Sequence, residues 1–399
     1  NRGEVFYGSV VVNRNNLIFA AYGTGARPMI TGFTTVSSWK SLGGGIYEAV
    51  VNAKSNLNMV AINGRPQQIG RYPNANDASG GFLTYETFGS TSITDNQLST
   101  TVNWTGAEVG IRKNSWAMDR VIVTSQSGGT INYKMGENLN SDNTPTLWTG
   151  TAGFGYFFMN DVRTLDQFGE WYFDATAKKI KVYFGTAVPT SYAVQVSTVD
   201  TLFNLSSRTN ISINNINFEG ANMSAIFSLR GGYINIQNCD MTNMGAKAIH
   251  IYDSPNILIE NVNTNNVLSN AIQVLNRRQP NVTIRNCVIN NTGEFLGMGS
   301  FYETADNKAI YALVTNNLLI EYNKIDTVGM SGIQFNGSDV IIRNNSINHF
   351  CYTLHDYGGI YTYAGSAATI YTNRTIMNNI VMNGVGAPAG TTSLKPDFA

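Results

Sequence analysis

The chain has 399 residues, with 26 Lys and Arg balanced against 26 Asp and Glu and 13 % of residues charged. That length buries one large core or two moderate ones. A neutral, charge-poor chain offers no basic face for tracking phosphates, so no nucleic-acid partner is expected. No run reaches the roughly eighteen apolar residues of a membrane span. Cys239, Cys287 and Cys351 are too few for a disulfide framework and lack metal-ligand spacing, which predicts buried packing. The chain opens on Asn1 with nothing resembling a leader, and reads as a processed product or a fragment.

In chain order, residues 1–35 hold YGSVVVN, NLIFAAYG and RPMITGF, short apolar or alternating stretches broken by Gly and Asn. They read as the first coils of a β-solenoid. Residues 36–197 differ in texture: Trp39, Tyr47, Tyr72, Trp104, Trp116, Trp148 and Trp171 appear, without a short repeat. GEWYFDATAKKIKVYF predicts a hairpin, and the segment reads as an inserted antiparallel β-sandwich-like module that stabilises the solenoid or walls its site. Glu108–Lys113 and Ser125–Thr149 read as loops.

Residues 198–399 repeat. Aligning NISINNINF, YINIQNCDM, NILIENVNT, NVTIRNCVI, NLLIEYNKI, DVIIRNNSI and RTIMNNIVM puts Ile213, Ile236, Ile259, Ile284, Ile320, Ile342 and Ile376 in register, at steps of 23, 23, 25, 36, 22 and 34. A second strand recurs in each unit: AIFSL, AIHIY, AIQVL, AIYAL, GIQFN, GIYTY. Units of about 23 residues with two or three strands describe a parallel β-helix. Asn214, Asn215, Asn238, Asn261, Asn286, Asn344 and Asn345 recur at the corners, where Asn tolerates a left-handed turn and stacks into hydrogen-bonded ladders. The predicted fold is all-β: a parallel β-helix carrying an inserted antiparallel module.

With Ile226, Ile249, Ile272, Ile310, Ile333 and Ile360 inward, strand alternation turns Phe227, His250, Gln273, Tyr311, Gln334 and Tyr361 outward. The preceding row, Ala225, Ala248, Ala271, Ala309, Gly332 and Gly359, is small. Small residues beside ring faces and amides suit a sugar chain, which stacks on rings and bonds through hydroxyls.

The two long steps carry insertions, the commonest place for function in a solenoid. One is NTGEFLGMGSFYETADNK; the other adds HFCYTLHDY before GIYTY and AGSAATIYTNR after it. Asp306 and Asp356 each lie four residues before an inward Ile. Two coils at about 4.8 Å would set them roughly 9–10 Å apart, with Gly329 of the coil between leaving space. Inverting glycosidases hold their carboxyls at about 6.5–9.5 Å and retaining ones at about 5–5.5 Å. Glu294 and Glu303 are weaker candidates. His355 and Tyr357 flank Asp356 as candidate sugar contacts, and three histidines make no His metal site.

VAINGRPQQIGRYPN, GEWYFDATAKKIKVYF and the repeated IxxNxI coils together resemble secreted bacterial right-handed β-helix carbohydrate enzymes. The nearest resemblance is to glycoside hydrolase family 141, a fucosidase and xylanase group, with family 120 β-xylosidases and family 110 α-galactosidases more distant. The family's DDGGxIY-like motif corresponds to HDYGGIY here, His355 to Tyr361, with Tyr357 in place of the second acid. The resemblance also implies an EGIYLDD-like coil after GVGAPAGTT, about where this chain ends. It thus implies a second catalytic acid beyond Ala399, one coil from Asp356.

Three functions compete. A glycoside hydrolase on a plant or algal glycan would use Asp356 with Asp306 or an acid beyond Ala399. A polysaccharide lyase would neutralise a uronate with Arg277, Arg278 or Lys308, often with Ca²⁺. A non-catalytic β-helix would bind glycan and be indifferent to Asp356→Asn. The expected protein is a secreted or periplasmic monomer whose partner is a carbohydrate, with no cofactor beyond optional Ca²⁺.

Overall fold

The computed structural model describes every residue except 54–55, 135–147, 277–280, 300–306, 364–369 and 392–399, together with the side chain of Thr315. The chain forms a right-handed parallel β-helix. Each coil gives one strand to each of three parallel sheets. In one coil, Ser224–Leu229 lies in one sheet, Gly232–Gln237 in the next and Asp240–Met244 in the third; Lys247–Tyr252 then stacks on Ser224–Leu229. In the late coils Ile310–Glu321 and Ile333–Arg343 run through the corner and join two of the sheets.

Two isoleucine columns set the register. Ile213 pairs with Ile236, then in turn Ile259, Ile284, Ile320, Ile342 and Ile376. The second column runs Ile226, Ile249, Ile272, Ile310, Ile333, Ile360. All but the last member of each column are fully buried. A β-branched side chain suits the pleat, and each buried Ile stabilises the stack by about 1.5–3 kcal/mol. A one-residue slip would turn a whole column to solvent.

The corners use the left-handed backbone. Asn215, Asn238, Asn261, Asn286, Asn344 and Asn378 all have φ between 52° and 59°, with Tyr322 in the same place in its coil. Asn214 and Asn345 are not left-handed; they bond along the stack. Asn238 Nδ2 donates to Asn214 Oδ1 at 2.9 Å. Deeper in, Asn323 Nδ2 donates to Asn345 Oδ1 and Asn345 Nδ2 to Asn379 Oδ1, both at 2.9 Å. A further left-handed column, Asn243, Asn266, Asn291, Thr327, His349 and Asn383, gave no sign in the repeat alignment.

The first strands are spliced onto coils far along the chain. Met29 pairs with Asn217 and Val10 with Phe203. The intervening segment leaves at Gly32 and returns at Thr198, whose N–H donates to the Gly32 carbonyl at 2.9 Å. Between these points lie three antiparallel sheets. The hairpin Trp171–Asp174 and Lys179–Tyr183 forms as its sequence predicts. Glu108–Arg112 is a strand, not a loop: Val109 and Ile111 are fully buried between Met118–Ser127 and Gly155–Met159, and Glu108 pairs with Arg120. Charged ends on a short alternating core hid it. Thr130–Lys134, read as part of a loop, is also a strand. No helix among the described residues is long and apolar enough to cross a membrane.

The three cysteines are buried, and none is in a disulfide. Burial pushes the Cys239 thiol up to about 11 and the Cys287 thiol up to about 12, as expected of packing residues.

Asn345 is 1 % exposed, accepts from the Asn323 backbone N–H and side chain, and donates to the Ile320 carbonyl. Asn345→Ala strands these groups, so a loss of about 2–4 kcal/mol is expected. Exposed Asn263→Ala, losing one bond to Asp240, should cost within about 0.5 kcal/mol. Thermal unfolding followed by circular dichroism separates the two; equal midpoints would refute the ladder's role.

Candidate active site at the insertion corner

The outward row stacks as its spacing predicts: Phe227, His250, Gln273, Tyr311, Gln334 and Tyr361 are successive partners. Phe227, His250, Tyr311 and Tyr361 are half-buried, whereas Gln273 and Gln334 are covered, at 0 % and 7 % exposure. The small row beside them is not a floor for a sugar. Ala225, Ala248, Ala271 and Ala309 are fully buried, and a Cβ on Gly332 would meet Ile347 Cγ2 at 2.5 Å and the Gly359 carbonyl at 2.8 Å. These residues are small because two sheets converge there.

Asp356 is exposed, in the left-handed region at φ 75°, on the corner between Ser346–Phe350 and Ile360–Thr362. Burial, then the Asp356 charge, then Tyr363 raise the pKa of Tyr361. The rings of Tyr357 and Tyr361 lie 4.2 Å apart. Lys308, 2 % exposed, sets its ammonium 4.3 Å from the Tyr311 ring centre and 5.8 Å from that of Tyr357. Asp356, Tyr357, Tyr361, Tyr311 and Lys308 therefore form one cluster. His355 is 2 % exposed, and its backbone N–H donates to the Ser115 carbonyl at 3.0 Å, which ties the corner to the antiparallel module. Asp306, Glu303, Arg277 and Arg278 lie outside the described residues.

Gly329 opens no space at its corner. A Cβ there would meet the Gly293 carbonyl at 2.4 Å and Thr353 Oγ1 at 2.6 Å. Asn307 Nδ2 also reaches Thr353 Oγ1, at 3.4 Å, so neighbouring corners fill that position.

The module docks on this corner through a shared apolar core. Leu268, Leu296, Met298, Met330 and Leu354 of the coils pack with Met118, Phe157 and Met159. Beside that core opens a cavity of about 420 Å³, lined by Glu294, Tyr352 and Thr353 from the corner, Arg71 and Arg112 from the module, and the returning segment Ala387–Ala389. Burial of its surroundings raises the Glu294 pKa although the residue as a whole stays exposed. Its carboxylate has no hydrogen-bond or ion-pair partner among the described residues. A larger open groove of about 640 Å³ crosses another sheet and contains Asp326. There burial would raise the acid, but hydrogen bonds from Asn348, His349 and Thr327 outweigh it and hold it low, a poor proton donor.

Sequence reasoning ranked Glu294 low and missed both arginines. Arg71 stood in the quoted RYPN stretch, and Arg112 lay in the segment taken for a loop.

A family model described as right handed beta helix region matches residues 191–306. A solved glycoside hydrolase superposes with a TM-score of 0.62 at 12 % identity, over 98 % of this chain and 91 % of that one. This likeness shows the shared fold. XylC in complex with xylose covers 95 % of this chain and 65 % of that one, at 9 % identity and a TM-score of 0.26. The catalytic domain of a GH87 α-1,3-glucanase with nigerose covers 84 % and 75 %, at 11 % identity and a TM-score of 0.24. Scores that low carry no argument. No curated protein matches the chain.

If the small row is a packed seam, Gly332→Ala overpacks it and should cost about 1–3 kcal/mol. An open sugar floor would accept the methyl at no cost, and an unchanged unfolding midpoint would restore that reading.

Proposed function

We propose that the protein is a glycoside hydrolase working at the insertion corner, with Glu294 as general acid and Asp356 as the second carboxylate. The carrying observation is Glu294: a carboxyl without a partner among the described residues, raised by burial, opening on the cavity between coil and module. Desolvation disfavours the charged form and so shifts the group toward the protonated state from which a general acid gives its proton to a glycosidic oxygen. Asp356, exposed on the loop whose Tyr352 and Thr353 line the same cavity, supplies the base or nucleophile. Asp306 remains the alternative partner. Tyr357, Tyr361 and Tyr311 offer ring faces to the sugar. The fold shared with a solved glycoside hydrolase supports this reading by analogy.

A lyase reading draws on the buried Lys308 beside Tyr311 and Tyr357, a cation next to phenol groups. It requires a uronate substrate and gives an unsaturated product that absorbs near about 232 nm; hydrolysis gives new reducing ends without absorbance.

A screen of plant and algal glycans, reading both signals, tests the assignment. Reducing ends without absorbance are expected, with kcat/KM falling about 10²–10⁴-fold in Glu294→Gln. Asp356→Asn should also abolish turnover. Absorbance retained in both variants would move the chemistry to Lys308, and glycan binding without turnover would leave a binding protein.

The pH profile checks the proton assignment. Glu294 acts protonated, so kcat/KM falls as pH rises through its raised pKa, above the ordinary 4.5. That alkaline limb should vanish in the residual activity of Glu294→Gln; an identical limb in both proteins would assign the acid elsewhere.

A further inference from the structure

Arg71 is 4 % exposed, yet it forms no ion pair among the described residues. Its Nε donates to the Pro73 carbonyl at 3.0 Å and its Nη2 to the Gly81 carbonyl. One face of the guanidinium lies 3.7 Å from the centre of the Phe157 ring, with Phe82 at 5.6 Å. The nearby acid Glu170 does not bond the guanidinium. Its Oε1 takes the Arg71 backbone N–H, and its Oε2 takes the N–H groups of Asp166 and Gln167. Nη1 is thus left without an acceptor among the described residues.

Burial costs the Arg71 cation more than the nearby Glu170 charge returns, and no carboxylate among the described residues bonds the guanidinium. Arg112, 1 % exposed, adds a second positive charge to the same wall while its Nη1 and Nη2 hold the Ala389 and Ser115 carbonyls. Glu294 is the acid in the same lining. The volume of about 420 Å³ falls within the range of small-molecule sites, about 300–1,000 Å³. Tyr352, half exposed at the rim, gives a ring face for a pyranose.

We propose that this cavity is a subsite for an anionic sugar, in which Arg71 Nη1 receives an oxyanion carried on the ring, a uronate carboxylate or a sulfate ester. The planar guanidinium suits both groups. The inference rests on the glycan-active reading of the corner and narrows it to acidic glycans, without depending on turnover.

The test measures binding by calorimetry and saturation-transfer NMR on the full chain. The probes are glucuronic and galacturonic acids, their neutral parents glucose and galactose, and the 6-sulfates of both. At least about tenfold tighter binding of an acidic sugar than of its parent is expected. Preference for uronates alone, or for sulfates alone, identifies the oxyanion. The preference should fall in Arg71→Lys, which loses the fork, and in Gln68→Glu, which adds a negative charge to the lining without touching the guanidinium's carbonyl bonds. If Arg71→Lys does not fold, Gln68→Glu and the neutral parents decide. Equal binding of acidic and neutral sugars, or a preference untouched in both folded variants, overturns the proposal. Acidic-sugar binding without hydrolysis keeps the subsite and rejects the hydrolase; hydrolysis of neutral glycans without acid preference does the reverse.

Discussion

Everything in this molecule depends on coils stacking in parallel register. Each strand closes its hydrogen bonds only with the coils before and after it, so no coil is stable alone. The isoleucine columns make one register far better than its neighbours, and the left-handed Asn positions let the chain turn corners without strain. Side chains pointing outward are then fixed relative to one another by the coil spacing, which gives the tyrosine and glutamine row its geometry.

A strict repeat would offer only uniform faces. The proposed function needs a concavity, and one lies where the repeat is broken. The corner insertions supply Glu294 and Asp356, but a solenoid corner projects into solvent and forms no pocket by itself. The antiparallel module closes it: Phe157, Met118 and Met159 cover the corner leucines and methionines, and Arg120 Nη1 donates to the Gly297 carbonyl at 3.0 Å. The same apolar docking that stabilises the module buries the two arginines beside the cavity that Glu294 lines.

How much of this was legible in the sequence follows from the range of the interactions. The Ile columns and Asn corners were readable because each recurs in every coil and has a single physical cause. The facing of the outward row was readable for the same reason. What lies opposite a row was not: Gly332 and Gly359 look alike whether solvent or Ile347 and Val381 sits beyond the missing Cβ. Gly329 misled in the same way. Glu108–Arg112 was obscured by its charged ends: Glu108 is paired with Arg120 across the sheet, and Arg112 is buried against backbone carbonyls. The cavity gathers residues 71, 112, 294, 352 and 389, and no local pattern announces that they meet.

The splice between Gly32 and Thr198 has a bearing on how the protein is made. Val10–Val11, Leu17–Ala20 and Met29–Thr31 find their partners at residues 203–219, so they are seated only after the chain beyond Thr198 has been made. Until the module has folded and brought its two ends together, these strands carry open edges. The coil that these strands complete is therefore a slow, high-contact-order step of assembly.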